Sequence, residues 1–175
     1  MSVVTISLDE YLDTSFRPDM ELVQGELKGK GMVSPLHGRV QFLIGHWFEL
    51  HVQNWNLIAS MEARTQVSGN SVRLPDVVLF HAGPIPPRAF THPPLVAIEV
   101  LSPTDTWSDL KNRFDDLYRA GVKDIWLIDP DTQSAFVWTG DSLVEVHESQ
   151  IQVTGSPGHL NLKWLWEKLD PIRDE

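Results

Sequence analysis

The feature that most constrains the fold is a pair of apolar segments joined by one amphipathic segment. Residues 95–101 are apolar except for Glu99, and residues 124–129 form a second largely apolar run. Continuous apolar runs of this length are typical of central strands covered on both faces. Between them, residues 104–120 repeat apolar side chains at helical spacing, and Gly121 ends the pattern. A strand–helix–strand unit predicts a locally parallel pair with a right-handed crossover.

The remaining patterns place further elements around this unit. Residues 20–27 predict a hairpin with a tight turn, and Ser34 predicts the cap of a long helix. Residues 57–67 and 72–80 each predict a strand, with Pro75 marking an edge, a bulge or a strand start. Short strands near the C-terminus predict another hairpin. The predicted class is α/β (α+β): a mixed central sheet flanked by helices, with extra terminal β-hairpins.

The composition limits the functions that the chain can have. The 175 residues favour one domain spanning residues 1–175. The absence of cysteine excludes disulfides and thiolate ligands, and it suits a reducing cytoplasm. A formal net charge of −10 argues against tight non-specific binding of DNA, but it accords with a metal site where carboxylates concentrate. The apolar runs are too short to cross a bilayer, and residues 1–7 lack the pattern of a secretory signal.

Two acids interrupt the apolar strands. Glu99 stands alone in its strand, and Asp76 stands alone in the preceding one. An ionised carboxylate in a buried strand is costly unless it is paired or bound to a metal. Two such acids on neighbouring strands could hold Mg²⁺ through oxygen ligands and leave positions for water and a phosphate oxygen. The alternative is that each acid is solvated at a strand end, or pairs with an arginine such as Arg64 or Arg73.

Several segments together resemble one known family. The residues that carry the resemblance, in chain order, are 21–27, 34–38, 73–77, 96–103 and 119–130. This ordered set is similar to the Uma-type restriction endonucleases, which are bacterial members of the PD-(D/E)XK nuclease superfamily. The resemblance covers nearly the whole chain. It implies a restriction-endonuclease-like core and hydrolysis of phosphodiester bonds that depends on a divalent metal.

The resemblance also assigns site residues. It implies that Asp76 and Glu99 are catalytic ligands to Mg²⁺ (or Mn²⁺). The superfamily's lysine normally lies two residues after the glutamate, where this chain has Leu101. In this family the lysine is moved to the following helix, at the position of Arg113, and Lys111 lies two residues earlier. Helical geometry places these two basic residues on opposite flanks of the apolar face, so the choice between them stays open.

Four further residues are candidates near the site. Glu21 and Glu26 flank the turn of the first hairpin, and the resemblance makes Glu21 a third acid of the site. The alternative for both is an exposed hairpin carboxylate. His37 begins the long helix, where free backbone N–H groups attract an anion, but capping or packing is an equal alternative. Glu62 interrupts an apolar run and ranks after Glu21.

Two functions follow as hypotheses. The first is a metal-dependent endonuclease acting on DNA, as a cytoplasmic homodimer whose two-fold axis matches the two strands of a duplex. The second is a catalytically inactive nuclease-fold module that binds nucleic acid or a protein, which Leu101 and Arg113 favour. Geometry discriminates between them. Carboxylates of Asp76 and Glu99 within about 5 Å of each other would favour the enzyme, whereas an acid turned into an arginine pair away from any cleft would favour the module.

Overall fold

The fold is described from a computed structural model, and the description covers residues 5–31 and 34–170. The helices are α1 (Leu8–Asp13), α2 (Pro35–Leu50), α3 (Val52–Trp55), α4 (Trp107–Arg119) and α5 (Leu162–Leu169). The strands are β1 (Met20–Val23), β2 (Glu26–Gly29), β3 (Leu57–Met61), β4 (Thr65–Ser68), β5 (Ser71–Arg73), β6 (Val77–His81), β7 (Val96–Val100), β8 (Asp124–Asp129), β9 (Ser134–Trp138), β10 (Leu143–Glu145), β11 (Gln150–Gln152) and β12 (His159–Asn161).

A six-stranded mixed sheet forms the centre, in the order β10-β9-β8-β7-β6-β3. The β7–β8 pair is parallel and α4 connects the two strands, as the apolar runs predict. The other pairs of this sheet are antiparallel. The predicted α/β class, with a mixed central sheet flanked by helices, is therefore confirmed.

Two hydrophobic layers cover the sheet on its opposite faces. On one face, α2 and α5 pack through Val40, Ile44 and Leu165 against Ile98 and the neighbouring strands. On the other face, Leu110, Phe114 and Leu117 of α4 pack against Ala97 and Leu127. Because side chains alternate along a strand, β7 contributes to both layers and is buried along its whole length.

The two long strands expected on either side of the Gly69 turn are each broken in two, which corrects the sequence prediction. Residues 57–67 divide into β3 and β4 because Glu62 takes a left-handed backbone conformation with φ of 50°. Residues 72–80 divide into β5 and β6 around Pro75, which has no N–H to donate to a ladder. The halves belong to different sheets, so Asp76 does not lie within a strand but immediately before β6.

The predicted hairpins are present. β1 and β2 pair through a turn in which Gln24 and Gly25 have positive φ, and they continue into a four-stranded sheet with β5 and β4. β9 pairs with β10, and β11 with β12, towards the C-terminus. None of the helices in the described ranges is both long and apolar enough to cross a membrane. That residues 1–175 form one domain stays a prediction.

Candidate metal centre

The backbone brings Asp76 and Glu99 together. β6 pairs with β7 so that Val77 lies opposite Ile98, and continuing this register by one position sets Asp76 opposite Glu99. Directly opposite residues of antiparallel strands have Cβ atoms about 4.5–5.5 Å apart. The backbone N–H of Val100 donates to Asp76 Oδ2 at 2.7 Å, which fixes the aspartate against β7. Both acids are 1% exposed.

Three nitrogen atoms surround the other oxygen of Asp76. Lys30 Nζ donates to Asp76 Oδ1 at 2.5 Å, and Gln41 Nε2 donates to it at 3.1 Å. His37 Nε2 lies 3.1 Å from the same oxygen, but without the alignment of a hydrogen bond. His37 and Gln41 are four residues apart on α2 and therefore share one face of that helix. Lys30 approaches from the segment that follows β2.

Glu62 completes an acidic cluster around Lys30. Its left-handed conformation is uncommon for a residue with a side chain. Its backbone N–H donates to the carbonyl of Asp76 at 3.2 Å, which ties the turn after β3 to the start of β6. Its carboxylate accepts hydrogen bonds from Gln41 at 2.6 Å and from Lys30 at 3.1 Å. The Lys30 ammonium therefore bridges two carboxylates.

Glu99 points towards α4 and meets Arg113. One guanidinium nitrogen of Arg113 donates to Glu99 Oε2 at 2.9 Å, and the other donates to Asp105 Oδ1. Asp105 also accepts a hydrogen bond from the backbone N–H of Ser102 at 2.9 Å, so the loop before α4 holds it in place. Glu99 is thus in an arginine pair, but Arg113 borders a small cavity that Asp76 also lines, instead of turning away from it.

The charged side chains of this cluster shift one another's pKa values. Burial alone would raise the pKa of Asp76, but the His37 ring and the Lys30 ammonium outweigh it and hold the pKa well below its usual range. Burial raises the pKa of Glu99 to about 8, and Arg113 opposes this only in part. Burial would lower the pKa of Lys30, but the carboxylates of Glu99 and Asp76 outweigh it and raise that pKa. At neutral pH, Asp76 is therefore ionised and Lys30 is charged.

A small cavity beside Asp76 opens towards a larger groove. The cavity has a volume of about 20 Å³, which is room for about one water molecule or ion. The adjoining groove, of about 430 Å³, runs between the β1–β2 hairpin and α4. Both are lined by Lys30, Gly31, Thr104, Asp105 and Arg113. A phosphate group in the groove would therefore lie next to Lys30 and Arg113.

The donor set can be tested for its fit to a divalent cation. One ligand atom each of His37, Glu62 and Asp76 lies within 4.8 Å of the others. Oxygen and imidazole ligands at that spacing match the coordination of a divalent ion. The chemistry fits, and Asp76, which the sequence predicts as a ligand, belongs to this group. Glu99 adjoins Asp76 through the strand register, and its role as a ligand stays a prediction.

The other predicted site residues divide into two groups. Arg113 reaches the acids, whereas the half-buried Lys111 pairs with Asp115 at 2.7 Å along α4. Glu21 lies in the groove, but its carboxylate is held by Arg73 at 2.7 Å and by a backbone N–H. Glu26 lies at the start of β2, opposite Val23 across the hairpin turn. His37 and Glu62 were only additional candidates in the sequence analysis, but both contact the centre of the cluster.

Sequence reasoning missed Lys30, Gln41 and Asp105. The spacing of His37 and Gln41 could have indicated Gln41, because two polar residues four positions apart on the buried face of a helix lie side by side and can contact the same group. Lys30 offered none, because it is one of two lysines in a glycine-rich segment and its partner is 46 positions away.

The fold and the carboxylate cluster define a protein with nuclease architecture. Its sequence gives the particular family: the family described as "putative restriction endonuclease" (Uma2) matches residues 8–166, and the chain belongs to that family. This confirms the resemblance.

A solved structure supports the fold. The crystal structure of a protein described as a "putative nuclease belonging to DUF820", from Anabaena variabilis, is similar at 25% identity with a TM-score of 0.77, covering 94% of this chain and 99% of that chain. The DrdV–DNA complex is similar only at 19% identity and a TM-score of 0.38, covering 77% of this chain and 11% of that chain. A comparison with curated proteins gives no match.

Proposed function

We propose that the protein is a metal-dependent endonuclease that hydrolyses phosphodiester bonds in DNA. One observation carries the proposal: buried Asp76 lies beside Glu99, and both adjoin a basic side chain at the bottom of an open groove. Buried acids beside a cleft are costly for stability and are typical of sites that bind a cation. A divalent cation bound there would activate a water molecule and offset the charge that develops on phosphate.

The protein's own side chains have distinct parts in this proposal. Lys30 takes the role of the superfamily's strand lysine, whose position is occupied here by Leu101. Its ammonium lies against Asp76 and borders the groove. Arg113 presents a planar guanidinium that can donate two hydrogen bonds to a phosphate. It stays protonated, so it can bind phosphate but does not act as a base. Gln41 donates to both Asp76 and Glu62 and orients them.

A symmetric homodimer remains part of the proposal, because two sites related by a two-fold axis can each meet one strand of a duplex. Its test is the molar mass in solution, by sedimentation equilibrium with and without a DNA duplex. A monomer under both conditions would remove the dimer from the account. A cytoplasmic location stays a prediction from the absence of cysteine.

The alternative function is an inactive nuclease-fold module that binds nucleic acid or a protein. The observation that favours it is the pairing of Glu99 with Arg113, next to Leu101 where the superfamily has its lysine. In that case the groove would bind a nucleic-acid strand without cutting it.

A cleavage assay separates the two functions. Purified protein is incubated with supercoiled plasmid, linear duplex, single-stranded DNA and RNA, in Mg²⁺, in Mn²⁺ and in EDTA. We expect cleavage of DNA that needs the divalent ion and is lost in Asp76→Asn and Glu99→Gln, with Glu26→Gln as the matched control. Cleavage that persists unchanged in both variants would refute this site. Binding without cleavage under every condition would favour the inactive module.

A further inference from the structure

His37 is a buried side chain whose ring nitrogens make no aligned hydrogen bond, although Nε2 lies at ion-pair distance from Asp76. It lies in the first turn of α2 and is 5% exposed. Across residues 5–31 and 34–170, neither of its ring nitrogens finds a hydrogen bond. A buried polar group without a hydrogen bond costs free energy of folding. A folded protein that keeps such a group is expected to use it for its function.

The ring is aimed at the acids of the cluster. His37 Nε2 lies 3.1 Å from Asp76 Oδ1. One ligand atom each of His37, Asp76 and Glu62 lies within 4.8 Å of the other two. Two ligands at right angles around an ion, with bonds of about 2.1 Å, are about 3.0 Å apart. The separation between nitrogen and oxygen therefore suits a cation that both of them bind.

We propose that His37 Nε2, with the carboxylates of Asp76 and Glu62, forms a mixed nitrogen–oxygen site that selects Mn²⁺ or another divalent transition ion over Mg²⁺. This inference rests on the proposed function and specifies its cation. Mg²⁺ prefers oxygen ligands and gives up its water reluctantly. Imidazole binds divalent transition ions well, so a nitrogen ligand shifts the preference towards them.

The competing explanation is a proton between Nε2 and Oδ1. A proton there would make His37 an ion-pair partner of Asp76 and not a ligand. The two explanations differ in one measurable property, which is whether nitrogen is bonded directly to the ion.

The test measures binding and not cleavage. Mn²⁺ and Mg²⁺ are titrated separately into the metal-free protein by calorimetry, and pulsed electron paramagnetic resonance of bound Mn²⁺ detects a directly bound nitrogen through its ¹⁴N modulation. We expect the wild type to show ¹⁴N modulation and to bind Mn²⁺ more tightly than Mg²⁺. His37→Gln, which keeps an oxygen donor, should lose the modulation and weaken Mn²⁺ binding by at least about tenfold. Its affinity for Mg²⁺ should change little.

His46→Gln is the matched control, because His46 is exposed on the same helix. Its affinities for both ions should equal those of the wild type. If His37→Gln does not fold by circular dichroism, the ¹⁴N modulation and the ratio of the two affinities in the wild type decide the question.

The outcomes separate this inference from the proposed function. Mn²⁺ bound without nitrogen coupling, or equal affinity for the two ions, overturns the role of His37. If Asp76→Asn still abolishes binding in that case, the proposed nuclease site stands. No binding of either ion by the wild type overturns both.

Discussion

Replacing Lys30 with methionine should destabilise the metal-free protein. The ammonium of Lys30 bridges Asp76 and Glu62, at 2.5 Å and 3.1 Å. Methionine has a similar length and fills the same space, so the change removes the charge and little else. Asp76 would then keep its negative charge in the interior with the His37 ring and the neutral donors of Gln41 and Val100 as its remaining partners.

The burial of the pair sets the magnitude. The side chains of Lys30 and Asp76 are 13% and 1% exposed, so solvent screens them little. Removing one partner of a buried ion pair costs about 3–5 kcal/mol. Because Gln41 and Val100 continue to donate to Asp76, we expect the lower end of that range. For a domain of this size, about 3 kcal/mol lowers Tm by about 6–12 °C.

Thermal unfolding in EDTA at pH 7 measures this loss. Lys28→Met is the matched control, because Lys28 is exposed on β2 and no carboxylate in the described ranges forms an ion pair with it. A saturating divalent cation should restore much of the Tm of Lys30→Met, since the cation supplies the missing positive charge. Equal Tm values for the two variants in EDTA would refute the reasoning.

Three further predictions concern the other charged residues of the groove. The pKa of Glu99 is raised to about 8, so between pH 4.5 and 8 the native state holds a proton that the unfolded state has lost. The free energy of unfolding of the metal-free protein should therefore fall as the pH rises through this range. Chemical denaturation of Glu99→Gln should show a smaller fall over the same range. Arg113→Met should lower kcat/KM for DNA cleavage by about 100-fold or more, whereas Lys111→Met should leave it nearly unchanged; equal losses would contradict the assignment of Arg113. Glu21→Ala should cost about 1–3 kcal/mol in urea unfolding, because it leaves the buried N–H of Leu74 without its acceptor and removes one of the two carboxylates that pair with Arg73, whereas Glu26→Ala, on the same hairpin, should cost little.

Local patterns predicted most of the elements. The cap at Ser34 and the left-handed Gly121 define helix ends in the structure as they do in the sequence. The apolar runs predicted the parallel β7–β8 pair, because a strand that is buried on both faces has apolar side chains at nearly every position.

The adjacency of Asp76 and Glu99 was also predictable, because each acid is out of place in apolar surroundings. Their partners were not predictable from the same signal. Lys30 reaches Asp76 across two sheets, because Lys30 follows β2 of the four-stranded sheet and Asp76 precedes β6 of the six-stranded sheet. The break at Glu62 has no local marker either, since glycine or asparagine would be the usual residue in a left-handed position.

The choice between Lys111 and Arg113 shows the limit of helical geometry. Both residues lie on flanks of α4, at equal angles from its apolar face. The structure distinguishes them because the loop holding Asp105 packs on the Arg113 side and Glu99 projects from β7 towards it. Tertiary contacts of this kind carry no periodic signal along the chain.

The most direct test of the metal centre is anomalous diffraction from crystals of the protein soaked in MnCl₂. We predict one strong peak within about 2.0–2.6 Å of an oxygen of Asp76, with the Lys30 ammonium displaced from its position between Asp76 and Glu62. A map with no peak there, and with Lys30 still bridging the two carboxylates, would contradict the account.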